Sequence, residues 1–204
     1  RLNRPGGDDM NLPNKLTILR IVLVPLFVAL LLIPAIPYNE IWAILVFSLA
    51  SLTDMLDGKI ARKHGLVTDF GKFADPVADK ILTMSAFVCF VALGWADAAL
   101  VIIILAREFI VTSIRLVAAG GGKVIAANLW GKAKTVSQIF AILLVLALQA
   151  VNSATGYVYL ELFWWIGFAA LCVCTALTLI SGGVYLWKNR SLIKIGRASC
   201  RERV

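Results

Sequence analysis

The sequence predicts an all-α fold, a polytopic membrane protein built as a bundle of six transmembrane helices. Three observations predict it. Of the 204 residues, 60% are hydrophobic and only 16% charged, and the mean hydropathy is +0.87, too apolar for an ordinary soluble domain. Six apolar stretches approach the roughly 20 residues that one crossing needs. Lys and Arg are absent from positions 21–58, 81–106 and 135–187 and collect between those intervals.

The expected spans are 16–36, 40–56, 79–93, 98–119, 135–151 and 157–187. The first ends at the turn around Pro37. The second runs into an acidic segment, and the third follows Asp75-Pro76, which reads as a helix start with Asp75 as N-cap and Pro76 at the first helical position. The fourth carries Arg107, Glu108 and Arg115. The fifth follows Lys132 and Lys134 and ends near Asn152. The sixth is longer than one crossing requires, which tilt can absorb. By the positive-inside rule, the termini and segments 59–80 and 123–134 are cytoplasmic, and the turns near Pro37, Trp95 and Asn152 face outward.

The net charge of +8 suits anionic headgroups and phosphorylated substrates, and with no soluble basic domain it argues against nucleic acid. Cys89, Cys172 and Cys174 fall inside apolar spans as small packing residues. No CxxC pair or His cluster supports zinc, and His64 is the single histidine. Residues 10–193 are expected to form the membrane domain, with 1–9 and 194–204 read as non-native extensions. Phe163, Trp164 and Trp165 read as interfacial anchors.

The chemistry lies in four aspartates. Asp54 and Asp57 are three apart, so on a helix they share a face, which Gly58 and Ala61 continue with small side chains. Arg62 is placed to address an anion held by that face. Asp75 and Asp79 are one turn apart, and Gly65 and Gly71 are expected to let the intervening loop turn. Four converging carboxylates repel one another unless cations lie between them. Oxygen-only ligation points to one or two Mg²⁺ or Mn²⁺ ions rather than zinc, with open positions for the oxygens of a phosphate or pyrophosphate.

The pattern D-x-x-D-G-x-x-A-R, eight residues, G-x-x-x-D-x-x-x-D is met by Asp54, Asp57, Gly58, Ala61, Arg62, Gly71, Asp75 and Asp79. It resembles the signature of the CDP-alcohol phosphatidyltransferases, and the resemblance extends over all six spans. That family displaces CMP from a CDP-linked lipid with an alcohol. The resemblance implies that Asp54, Asp57 and Asp75 hold the metals, and that Asp79 is the catalytic base while also touching one metal. It implies CDP-lipid binding by Asp57, Gly58, Arg62 and Gly71, with Asn14 and Thr17 as further nucleotide contacts. It also implies a homodimer in a bacterial inner membrane, with the site facing the cytoplasm.

Charged residues inside a membrane span usually face a bundle interior or polar cavity. Arg107 and Arg115 within the fourth span, together with Lys132 and Lys134 just before the fifth, form a candidate site for the phosphate of an acceptor, while Glu108 can serve as an internal ion-pair partner. The stretches around Arg107 to Arg115 and Ala126 to Gln138 are most similar to the bacterial branch that combines CDP-diacylglycerol with sn-glycerol 3-phosphate. Inositol phosphate or phosphatidylglycerol is the alternative acceptor. A cation transporter using the acids as its ion site is the rival from another class, and such sites tend to lie near the membrane midplane.

Overall fold

The computed structural model describes the backbone of residues 12–64, 69–120, 129–188 and 190, and the side chains of 19–53, 80–116, 118, 129–188 and 190. Among the described residues there are six helices and no strand: α1 (Leu12–Leu32), α2 (Asn39–His64), α3 (Asp69–Ala92), α4 (Ala98–Gly120), α5 (Leu129–Ala154) and α6 (Leu160–Lys188). The chain divides into two compact units, one through Cys89 and one from Phe90.

In the first unit α1 packs on α2. The buried positions Leu23, Val24, Phe27 and Leu31 recur at three- and four-residue steps and meet Ala43, Phe47 and Ala50 of the partner helix. The Phe27 and Phe47 rings lie 5.7 Å apart. Leu19, Val22, Leu26, Leu45 and Leu49 are exposed on the outer faces. Pro25 is accommodated inside α1, where its missing N–H removes a single backbone bond. The helix stops at Leu32 rather than at 36, because Pro34 cannot donate a further bond after Ile33 N–H reaches Ala29.

Two expectations about the acidic segment are corrected. α2 continues past 56 to His64, and α3 begins at Asp69. Asp75 is therefore inside a helix rather than an N-cap, and Gly71 is helical rather than a turn residue. The physical reason is that residues 59–64 are good helix formers apart from His64, so the one weak residue, Gly58, does not end α2. Pro76 likewise deletes only one hydrogen bond within α3. Positions 65–68, Gly65 among them, lie outside the described residues.

The second unit is punctuated by two turns of one design. Trp95 N–H reaches Phe90 O at 2.8 Å and Gly94 N–H reaches Val91 O at 3.1 Å. Tyr157 N–H reaches Asn152 O at 2.8 Å and Gly156 N–H reaches Ser153 O at 3.3 Å. These are paired six-to-one and five-to-two closures of a helix C-terminus, which need a left-handed residue that Gly94 (φ 74°) and Gly156 (φ 67°) supply. Trp95 also packs on Phe90 with ring centroids 5.8 Å apart. The turn at 155–159 delays the last helix to Leu160. α4 is capped by Asp97, whose Oδ1 accepts from the N–H groups of Ala99 at 2.9 Å and Leu100 at 3.3 Å.

α6 packs against both α5 and α4. Its buried stripe is Gly167, Leu171, Cys174, Thr175, Thr178, Ser181, Gly182 and Tyr185. On α5, Lys134, Gln138, Ala141, Ile142, Val145, Leu146, Gln149 and Asn152 are buried. Polar groups are thus gathered inside, while Ile102, Phe109, Phe140, Val173 and Trp187 are exposed. That inversion suits a helix surrounded by lipid. α5 and α6 are long and apolar enough to cross a membrane, and shorter apolar stretches occupy 19–32, 39–53 and 80–92.

Candidate active site

The acidic motif is carried by α2 and α3. Asp54, Asp57, Gly58 and Arg62 belong to α2, and Gly71, Asp75 and Asp79 to α3. Their side chains lie outside the described residues, as do those of Asn14 and Thr17 in α1. The backbone gives the register. Positions 54 and 57 are three apart on one continuous helix, and 75 and 79 are four apart on the next, so each pair shares a helix face. On the first helix, Arg20 is 2% exposed, a buried cation that the charge pattern of the chain does not anticipate.

The four basic candidates of the second unit, Arg107, Arg115, Lys132 and Lys134, are among the described residues. On α4, the buried positions Val101, Ile104, Glu108, Val111 and Ala118 trace one stripe, and Arg115 occupies the gap in that stripe. Glu108 is 6% exposed and Lys134 is 8% exposed. The Glu108 Oε1 atom accepts from Arg107 Nη1 at 3.2 Å, from Gln138 Nε2 at 3.4 Å and from Lys134 Nζ. Arg107 turns its other terminal nitrogen to Ser181 Oγ at 2.7 Å. A single carboxylate oxygen therefore joins α4 to α5, and Arg107 joins both to α6.

Burial makes this arrangement costly to interrupt. A charged side chain at the centre of a membrane helix costs about 3 kcal/mol even by the milder scales, so ions here are held by partners. Among the described residues two cations share one anion in this network, a formal excess of positive charge to which Arg115 adds. The Arg115 guanidinium lies over the Tyr185 ring at 5.3 Å from its centroid. Arg107 Nε is buried without a hydrogen-bond partner among the described residues.

Gly182 explains how α6 comes so near. A Cβ at that position would lie 3.0 Å from Arg107 Cγ and 3.3 Å from its Nε, whereas one at Gly183 would meet nothing within 4 Å. The residues that complete the network, Ser181, Gly182 and Tyr185, are missing from the sequence reading. Their only signal is a Ser-Gly-Gly run inside an otherwise bulky apolar helix.

The four basic candidates do not form one cluster. Lys134 and Arg107 converge on Glu108, whereas Arg115, which rests on Tyr185, and Lys132 are both exposed. Two residues apart on α5, Lys132 and Lys134 point to different sides of the helix. Chemically, the buried group presents fixed N–H donors with surplus positive charge, which is what a phosphate dianion requires.

Comparison with known proteins agrees with the motif. The chain is 40% identical over 195 residues to a Bacillus subtilis protein named CDP-diacylglycerol–glycerol-3-phosphate 3-phosphatidyltransferase, covering 90% of this chain and 97% of the relative. It is 38% identical over 178 residues to a Rickettsia bellii protein of the same name, covering 87% and 94%. A Haemophilus influenzae protein of that name is 39% identical over 137 residues, or 65% of this chain and 73% of the relative. Residues 10–187 match the family described as CDP-alcohol phosphatidyltransferase. With the motif carried on two successive helices and the match spanning most of its length, this chain belongs to the CDP-alcohol phosphatidyltransferase family.

Proposed function

We propose that this protein transfers a phosphatidyl group from CDP-diacylglycerol to sn-glycerol 3-phosphate, giving phosphatidylglycerophosphate and CMP. The observation that carries this reading is the near end-to-end likeness to the Bacillus subtilis relative. The buried Arg107, Glu108 and Lys134 network supports it, since a phosphorylated acceptor needs more positive charge than a free alcohol does.

In this reading the acceptor hydroxyl attacks the phosphorus that bears the diacylglycerol. The new P–O bond forms as the bond to the CMP oxygen breaks. Asp79 takes the hydroxyl proton, Arg62 binds the nucleotide phosphates, Gly58 allows close approach of the nucleotide, and Gly71, Asn14 and Thr17 are further CDP-lipid contacts. Arg107, Arg115 and Lys134 receive the acceptor phosphate. Lys132, exposed on α5, contributes at the mouth by attraction.

Asp54, Asp57, Asp75 and Asp79 are an all-oxygen, multiply anionic donor set on two helices, and that chemistry fits Mg²⁺ or Mn²⁺. When bound, such an ion neutralises the pyrophosphate and the departing CMP. The aspartates would be its ligands.

The proposed setting is the bacterial inner membrane, crossed by all six helices of a domain spanning residues 10–193. The termini and acidic motif would face the cytoplasm, and two copies would form a homodimer. A diacylglycerol tail then stays in lipid while its headgroup meets a water-soluble acceptor. The test is release of labelled CMP from CDP-diacylglycerol by the purified enzyme with glycerol 3-phosphate, inositol phosphate, phosphatidylglycerol, serine or inositol. Release with glycerol 3-phosphate alone is expected, and equal or better release with another acceptor would overturn the assignment.

A further inference from the structure

In the second unit, a cavity of about 480 Å³ opens where the α3–α4 turn meets the end of α5 and the start of α6, lined among others by Trp95, Gln149, Glu161, Trp164 and Trp165. Gln149 and Lys134 are fifteen residues apart on α5, which at 1.5 Å per residue separates the cavity from the basic network by about 22 Å along the helix. The cavity is therefore distinct from the basic network.

Its walls are fixed by local structure. Trp95 follows the left-handed Gly94 and is held against Phe90. The turn after α5 starts the last helix at Leu160, which puts Glu161 in its first turn. Trp164 stacks on Phe168 with centroids 5.2 Å apart and planes at 10°, and Trp165 meets the same ring edge-on at 5.9 Å and 85°. The indoles are thus oriented before any ligand arrives.

A second observation points to a ligand. Gln149 is 6% exposed, lines the cavity, and has no hydrogen bond to any described residue. Its amide is thus available to bond a group held in the cavity.

Charge selects the class of ligand. The described residues that line the cavity include no Lys or Arg, so none of them competes for a cation there or invites an anion. Three indoles, whose π systems attract cations, line the cavity, and Glu161 adds a carboxylate. We propose that this cavity binds an organic ammonium group, held against the indoles of Trp95, Trp164 and Trp165, with Glu161 opposing its charge and the Gln149 carbonyl accepting an N–H where one is present. The same chemistry is offered by a free amine and by the headgroup of an aminophospholipid.

The test uses the full chain in neutral detergent, with tetramethylammonium and ethylammonium as probes and inorganic phosphate and Mg²⁺ as controls, read by saturation-transfer NMR. Saturable binding of the ammonium probes is expected, about tenfold weaker in Glu161→Gln and in Trp165→Ala, the range that loss of one desolvated cation–π or ionic contact produces. Both residues are exposed, and an unchanged melting temperature will show that each variant is folded. No saturable ammonium binding, binding equal in wild type and both variants, or displacement of the probes by phosphate or Mg²⁺ would overturn the proposal. Reconstitution in phosphatidylglycerol vesicles with and without phosphatidylethanolamine, followed by native mass spectrometry, then distinguishes the sources. Phosphatidylethanolamine retained by wild type and lost in Glu161→Gln assigns the headgroup, and ammonium binding without retained lipid assigns a soluble amine.

Discussion

Lys134, near the start of α5, donates to the carboxylate of Glu108 in the middle of α4. Both helices pack along α6, and this pair links one to the other inside the protein. The same oxygen serves Arg107, so one acid organises two cations that the proposed reaction needs at fixed positions.

Removing that acid leaves two buried cations without their shared partner. Glu108→Ala is expected to destabilise the protein by about 3–5 kcal/mol, the usual cost of breaking a buried pair from one side. Glu108→Gln, which keeps the shape and an acceptor oxygen, should lose less. Thermal unfolding in detergent checks both, and an unchanged melting temperature for Glu108→Ala would contradict the role assigned to the network.

Gly182 and Gly183 offer a matched comparison. Gly182→Ala places a methyl 3.0 Å from Arg107 Cγ, so the Arg107 side chain has to give by a few tenths of an ångström, which is expected to loosen its hold on Ser181. The expected result is a KM for glycerol 3-phosphate raised by about tenfold, the loss of roughly one charge-assisted hydrogen bond, with little change in kcat. Gly183→Ala meets nothing and should behave as wild type. Equal kinetics for the two variants would argue against Arg107 as an acceptor contact.

The lysines separate in the same way. Lys134→Ala should raise the acceptor requirement strongly and lower the melting temperature, because a buried carboxylate loses its ammonium partner. Lys132→Ala, at an exposed position, should change KM by less than about threefold and fade further as salt is raised. Steady-state kinetics at low and high ionic strength will show whether the order holds.

These contrasts mark what the sequence reveals. The apolar runs and the alternation of charge make six helices legible, because each break coincides with a Pro, a Gly or a polar cluster. The motif is legible because its fixed positions repeat at helical spacing on two successive helices. Helix starts are less so. Asp75-Pro76 carries the local signal of a cap, yet α3 begins at Asp69, since one proline removes too little to stop a helix already under way. The grouping of Lys132 with Lys134 reads proximity along the chain, whereas a helix turns them apart. Ser181, Gly182 and Tyr185 are invisible because their role depends on which face of α6 meets α4, and that is a tertiary fact.

The aspartates are expected to divide in function. Asp79→Asn should abolish transfer while leaving substantial binding of CDP-diacylglycerol, since it removes the proposed base. Asp54→Asn should weaken metal and nucleotide binding together. Binding of a fluorescent CDP-lipid alongside turnover separates the two, and full turnover by Asp79→Asn would remove it from the mechanism.

The central claim is that carboxylates on α2 and α3 hold a divalent ion that makes phosphatidyl transfer possible. Its most direct measurement is CMP release by purified enzyme stripped with a chelator and then titrated with Mg²⁺ or Mn²⁺, with phosphatidylglycerophosphate quantified in parallel. The account predicts no release without metal, saturable recovery with one CMP per lipid product, and a large rightward shift of the metal titration in Asp54→Asn. Full activity in the stripped enzyme, or a metal titration that Asp54→Asn leaves unmoved, would contradict it.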